Sequence, residues 1–271
     1  MTSPFAAALR EARGLLASTA PTAPGEAPVA TRVLRELDDA IARLGGRESD
    51  RDLLSIVCHD LKEPLASIVM GAGFLRRTVP ATEAAALRVI EAVARSAERM
   101  TQIVSDFHDL AKLETHSLEV DVRPQDLVAT VAAAIGSLEP GARHKGLTLD
   151  LEAPESLQAR CDGPRVAQIV SKLVGNAIKF TPAGGRVVVR VAPDATRARV
   201  RVTVEDTGCG IPPERIATLF DHAANARRAS REGPGLGLPI VRGLTDVQEG
   251  KVAVESRVGQ GTTVTVTLPA A

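Results

Sequence analysis

The chain has 271 residues, 44% of them apolar and 24% charged, and its 33 basic residues are balanced by 33 acidic ones. With no basic surplus to displace counterions, the composition argues against a nucleic-acid partner. The longest apolar run, Leu127 to Leu138, is broken by Thr130, Gly136 and Ser137 and falls far short of a membrane span. Residues 1–20 place Arg10, Glu11 and Arg13 where a signal peptide needs an unbroken apolar core. Cys58, Cys161 and Cys209 lack metal-ligand spacing and cannot all pair, so a reducing, cytoplasmic setting is expected. Five Phe, no Trp and no Tyr leave the cores to be built from Leu, Val, Ile and Ala.

In chain order, residues 18–30 (STAPTAPGEAPVA) have no hydrophobic period and read as a linker. Leu34, Leu37, Ile41 and Leu44 then recur at the spacing of a short coiled-coil seam. Gly45-Gly46 interrupts that seam, which resumes in a new phase at Leu54, Cys58, Leu61, Leu65, Ile68, Ala72 and Leu75. Pro80 breaks the first long helix, and Thr82-Glu83 starts a second that carries Leu87, Ile90, Ala94, Ala97, Thr101 and Val104 on one line. A hairpin of two such helices cannot bury both stripes alone. Pairing with a second copy, as a homodimer with a four-helix bundle, is the economical solution.

From about residue 118 the period changes. Leu118, Val120 and Val122 alternate like a strand, Pro124 to Leu138 is helix-like, and Leu147, Leu149 and Leu151 alternate again. Pro164 to Phe180 is a strongly apolar helix; Val187–Val191 and Val200–Val204 are β-branched runs joined by a polar turn. Leu236 to Val247 reads as helix, with closing strands at Val252–Val254 and Thr262–Leu268. The expected organisation is a helix, linker and short coiled coil over 1–48, a helical hairpin over 49–117 and a mixed α/β domain over 118–271.

His59 stands one residue beyond the apolar stripe of the first long helix, on a face with Ser55, Lys62 and Glu63. Asp60 follows it and Pro64 loosens the helix five residues on. A carboxylate that accepts from one imidazole nitrogen leaves the other free as a nucleophile. In this setting SIVCHDLKEPLASIV resembles the phosphoacceptor box of bacterial two-component sensor histidine kinases.

Four further motifs occur in the order expected of the ATP-binding domain of such kinases, which is of the GHKL (Bergerat) type. KLVGNAIKFTP (172–182) resembles the asparagine box, which implies Asn176 on a Mg²⁺ ion that bridges the phosphates, with Lys179 and Phe180 at the nucleotide. EDTGCGIP (205–212) resembles the first glycine box: Asp206 would accept from the exocyclic amine of adenine, and Gly208 and Gly210 would let the backbone approach the base. GPGLGLPIV (233–241) resembles the second, with Gly233, Gly235, Leu236, Gly237 and Leu238 at the lid edge and the helix entry. GQGTTVTVTLP (259–269) resembles the third, which implies Thr262 near adenine and Asp206. No GxxxxGK[ST] occurs, so a P-loop is absent.

The resemblance covers about residues 49–269 and implies an antiparallel helical hairpin forming a dimeric four-helix bundle, followed by an α/β sandwich that binds ATP. The implied activity is a transferase step: autophosphorylation of His59 from Mg-ATP, with Asp60 orienting the imidazole, then transfer to an aspartate on a response-regulator receiver domain of a separate chain. The alternative is a nucleotide-binding pseudokinase or phosphotransfer scaffold. Its support is in two departures: Lys172 replaces a first asparagine, and Ala223 replaces a customary Phe after Phe220; residues 245–250 (TDVQEG) also depart, replacing a segment that usually ends His-Gly-Gly. Glu63 stands where many members carry a Thr or Asn that positions water for phosphatase action. Arg227, Arg228 and Arg231 of the lid, 221–232, read first as solvated loop residues and second as a charge clamp for the γ-phosphate.

Overall fold

A computed structural model of the chain describes residues 83–220 apart from Thr196, residues 236–271, and the isolated positions Ile68, Leu75, Val79 and Pro80. The segment 1–48, the helix expected around His59 and Asp60, and the lid with Gly233 and Gly235 lie outside the described residues. The chain divides into two units, one of 1–115 with 226–236, the other of 116–225 with 237–271.

In the first unit, α1 (Ala84–Glu114) is a 31-residue helix. Ile90, Ala97, Val104, Phe107 and Leu110 are buried along one stripe, at the three- and four-residue steps that place side chains on one helix face. Asp106 and Asp109 are also buried, and Gln102 donates to Asp106 Oδ1 at 2.6 Å. Val93 remains 41% exposed.

The second unit is a sandwich of helices on a sheet. Its elements are β1 (Arg123–Asp126), α2 (Leu127–His144), β2 (Thr148–Glu152), β3 (Gln158–Cys161), α3 (Gly163–Phe180), β4 (Arg186–Pro193), β5 (Arg199–Asp206), α4 (Pro213–Ile216), α5 (Gly237–Asp246), β6 (Lys251–Arg257) and β7 (Gly261–Pro269). Five strands form one mixed sheet in the order β2-β4-β5-β7-β6, with β2–β4 parallel and the remaining pairs antiparallel. β1 and β3 pair separately, with Pro124 opposite Arg160.

Alternation makes the sheet two-faced. Val187, Val189 and Val191 of β4, Val200, Val202 and Val204 of β5, and Val264, Val266 and Leu268 of β7 are buried. Register sets Val202 opposite Val266 and Val204 opposite Val264. Over this face pack α2, α3 and α5, which bury Leu127, Val131, Ile169, Val170, Ile240 and Leu244. The opposite face is mostly polar, with Val188 of β4 buried on it. Thr203 meets Thr265 at 3.4 Å, Arg186 pairs with Asp150 at 2.8 Å, and Arg190 joins Glu152 to Glu205 across β4. Exposed pairs of this kind are worth about 0–1 kcal/mol each, so they select register more than they stabilise.

The structure revises several expectations. Residues 118–122 form no ladder; instead the Asp121 N–H bonds to the Asp162 carboxylate at 2.9 Å. The helix expected from Pro124 begins at Leu127, because Asp126 caps it by accepting from Val128 N (2.9 Å) and Ala129 N (3.4 Å). It runs past Pro140 to His144, beyond the expected end at Leu138, and its last turn is held by the buried Ala142. Strand β3 carries no pattern in the sequence: of its four residues only Ala159 and Cys161 face inward. The four-residue helix α4 is likewise too short to show a hydrophobic period.

Candidate functional site

Helix α3 is the scaffold. Asp162 caps its start by accepting from Arg165 N at 3.1 Å, with Pro164 in the first turn. Val166, Ile169, Val170, Leu173, Val174 and Ala177 bury one face. That burial fixes the rotation of the helix and leaves Asn176, Lys179 and Phe180 away from the core. Lys172 is half-buried on the same helix. Helix α5 starts opposite: a Cβ on Gly237 would lie 3.8 Å from Asn176 Nδ2. Leu236 precedes this helix and Leu238 follows in its first turn. Lys179 Nζ stands 4.6 Å from the centroid of the Phe180 ring, which is 42% exposed. Such a contact keeps an exposed ring and a cation together at little cost.

At the end of β5, Asp206 Oδ1 accepts from Gly208 N (2.8 Å) and Thr262 N (3.3 Å). Burial is the leading influence on this carboxyl and pushes its pKa up; the two N–H donors oppose that shift, and Glu205 adds to it. Two glycines hold the turn around it. A Cβ on Gly210 (φ +68°) would stand 2.0 Å from Arg257 O, and one on Gly261 (φ +95°) 1.9 Å from Asp206 O. Only glycine fits either place.

Ser256 is a site residue that sequence reasoning missed. Its hydroxyl donates to Gly261 O (2.9 Å), accepts from Ile211 N (2.8 Å) and lies 2.9 Å from Thr262 Oγ1. With its one proton committed to Gly261, the Thr262 hydroxyl is the donor between them. A β6 serine thus ties the glycine turn of β5 to the start of β7. No local motif marks it.

Beside Phe180 opens a cleft of about 440 Å³, lined by Lys145, Lys179, Phe180, Thr207, Gly208 and Cys209 among others. Lys145 and the exposed Cys209 thiol were not singled out from the sequence. Phe220 packs beneath Arg242, whose guanidinium carbon is 5.8 Å from the ring centroid. In the TDVQEG segment, Gln248 is fully buried. It accepts from Asp162 N (2.8 Å) and donates to Leu244 O (2.7 Å), so it links the entry of α3 to the exit of α5. Glu249 takes a left-handed φ of +58°.

The structure therefore brings together Asn176 with Gly237, Lys179 with Phe180, and Asp206 with Gly208 and Thr262. His59, Asp60, Gly233 and Gly235 lie outside the described residues. Two family models match in sequence order. Residues 49–116 match the His Kinase A (phospho-acceptor) domain, and residues 161–271 match the histidine kinase-, DNA gyrase B- and HSP90-like ATPase. The chain belongs to the bacterial two-component sensor histidine kinases. This histidine kinase is 32% identical over 243 residues to the circadian input-output histidine kinase CikA of Synechococcus elongatus, an alignment that covers 87% of this chain and 32% of that protein. It is 32% identical over 237 residues to the histidine protein kinase DivJ of Caulobacter vibrioides, covering 85% and 38%. The chain thus spans about a third of the length of these relatives.

Full-length ShkA in complex with AMPPNP superposes with a TM-score of 0.66 at 27% identity, over 81% of this chain and 46% of that one. The Acinetobacter baumannii histidine kinase AdeS shares the fold at a TM-score of 0.57 and 20% identity, over 76% of this chain and 95% of that one. Among the described residues no helix is long and apolar enough to cross a membrane. Nor do the described residues gather three or more His, Cys, Asp or Glu around a possible metal. Of the described residues of the site, Asn176 presents a neutral amide oxygen that could hold a divalent cation alongside the oxygens of a nucleotide. That set suits Mg²⁺, which keeps few protein ligands when it travels with phosphates.

Proposed function

We propose that this chain is a cytoplasmic, homodimeric histidine kinase that autophosphorylates His59 from Mg-ATP and passes the phosphoryl group to an aspartate of a separate response regulator. The observation that carries the nucleotide half is the Asp206 carboxylate, fixed by Gly208 N and Thr262 N with its second oxygen left to accept. An acceptor so placed pairs with the exocyclic amine of adenine and opposes guanine, which presents a carbonyl at the equivalent position. Phe180 offers an exposed face for the base to stack on, and Lys179 a charge for the phosphates. Magnesium, when bound with the triphosphate through Asn176, supplies neutralisation of phosphate charge.

In the transfer step, an imidazole nitrogen of His59 forms a bond to the γ-phosphorus as the bond to the β–γ bridging oxygen breaks and ADP leaves. Asp60 holds the imidazole and takes its proton. The homodimer rests on the two apolar helix stripes of the hairpin, which a second copy would let both helices bury. Incubation of the chain with ATP labelled at the γ-phosphate tests the proposal. Acid-labile, base-stable label is expected on the unaltered chain and absent from His59→Gln. Label that persists in H59Q refutes the assignment, and nucleotide binding without transfer supports the scaffold alternative instead.

A further inference from the structure

We infer that Lys145 is a positioning residue for the nucleotide: its ammonium holds the last turn of α3, and with it Lys179 and Phe180, and so sets nucleotide affinity without entering the transfer step. The inference rests on the ATP-binding reading above.

An α-helix leaves its final carbonyls without intrahelical donors. At α3 the chain cannot continue the helix, because Thr181 is already extended (ψ 127°) and Pro182 has no N–H. Three carbonyls are left to be satisfied by other segments. Cys209 N reaches Phe180 O at 3.4 Å. Lys145 Nζ takes both of the others, Ile178 O at 2.6 Å and Lys179 O at 2.7 Å. A single ammonium thus bridges two consecutive carbonyls at the negative end of the helix dipole, where a cation is favoured.

The root of this clamp is itself fixed. The Lys145 N–H bonds to Ala142 O (3.1 Å) and Gly141 O (3.2 Å) at the end of α2. The next residue, Gly146, accepts from Gly184 N at 2.9 Å, and Thr148 N donates to Gly185 O at 3.1 Å. The α2–β2 turn is therefore docked on the α3–β4 turn, and Lys145 projects from a rigid base. What it grips is the backbone of the residues that present a charge and a ring to the ligand. Replacing the ammonium with an apolar end leaves those carbonyls to water and lets the last turn fray. The ring and the charge then lose orientation, which weakens the hold on the nucleotide.

The test uses the full chain, with Mg-ADP titration by calorimetry and the ATP dependence of autophosphorylation. In K145M, Mg-ADP binding is expected to weaken about five- to tenfold, the loss of one charge-assisted contact. The KM for ATP rises by the same factor while the rate at saturating ATP stays within about twofold. K145R, which keeps a cation in reach, is expected to restore affinity to within about twofold. Amide exchange at Thr181, whose N–H bonds to Ala177 O at 3.0 Å, should quicken in K145M with protection elsewhere unchanged. Wild-type affinity in K145M overturns the inference, as does a fall in saturating rate that parallels the rise in KM, or a general loss of exchange protection. Failure of the unaltered chain to bind Mg-ADP overturns the ATP-binding reading, and the role of Lys145 with it; normal binding by the unaltered chain with no change in K145M overturns Lys145 alone.

Discussion

Gly261 and Glu249 both take a left-handed backbone, at φ +95° and +58°, and they flank the same strand, β6. At Gly261 a Cβ would stand 1.9 Å from the Asp206 carbonyl, so conformation and space both demand glycine. Glu249 satisfies neither a ligand nor a core. Its side chain is exposed, and its backbone is held by its own N–H to Asp246 O (3.0 Å) and by Arg199 Nη1 on its carbonyl (2.8 Å). Positive φ alone therefore costs a residue little, whereas positive φ beside another backbone admits one residue type. The first turn positions Asp206, the proposed adenine acceptor, and the second tolerates a departure from the family pattern because no residue of the candidate site rests on it.

The sharpest way to break this contrast is G261A. It should destabilise the ATP-binding unit by about 3 kcal/mol or more, measured by urea denaturation, because both the backbone angle and the Asp206 carbonyl must yield. A loss under about 1 kcal/mol would show that the turn relaxes, and the distinction between the two sites would fall.

The function of the tight turn is read through D206N, which keeps an oxygen for Gly208 N and Thr262 N but turns a donor toward the adenine amine. Nucleotide affinity should fall about 10- to 100-fold by calorimetry, the scale of a hydrogen bond to a charged group. The pH dependence has a definite sign. Burial raises the Asp206 pKa, so the folded state binds this proton more tightly than the unfolded chain. Affinity in the unaltered protein should decline on acidification, starting above the ordinary aspartate range, and D206N should lack that step. Since the ionised form costs stability above its folded pKa, D206N should also melt higher at neutral pH. A lower melting temperature together with unchanged affinity would remove Asp206 from the site.

The smallest effect belongs to the loose turn. E249G relieves a strained φ and loses no buried contact, and it should stabilise by about 0.5–1 kcal/mol with nucleotide affinity unchanged. Equal stability would mean that Glu249 is compensated locally.

Much of this was legible from residues alone. The buried stripe of α3, the valine alternation of β4, β5 and β7, and the glycine-flanked Asp206 follow periodicity and motif directly, and they gave the sandwich and half of its site. β3 was not legible, because four residues with two inward positions make no pattern that stands out from a loop. The start of α2 at Leu127 was misplaced because Pro124 suits a first helical turn as well as an edge strand, and the Asp126 cap decided between them.

The sequence by itself therefore determined which residue types the chemistry needs and which faces are apolar, since both are written at short range along the chain. Tertiary structure decided what holds them. Lys145 reaches α3 across 33 residues, Ser256 joins the turn after β5 to the start of β7, and Gln248 meets Asp162 across 86 residues. Each of these contacts depends on how distant segments register against one another. Hydrogen bonds between such segments exist only after the apolar faces have packed, so no local pattern can announce them.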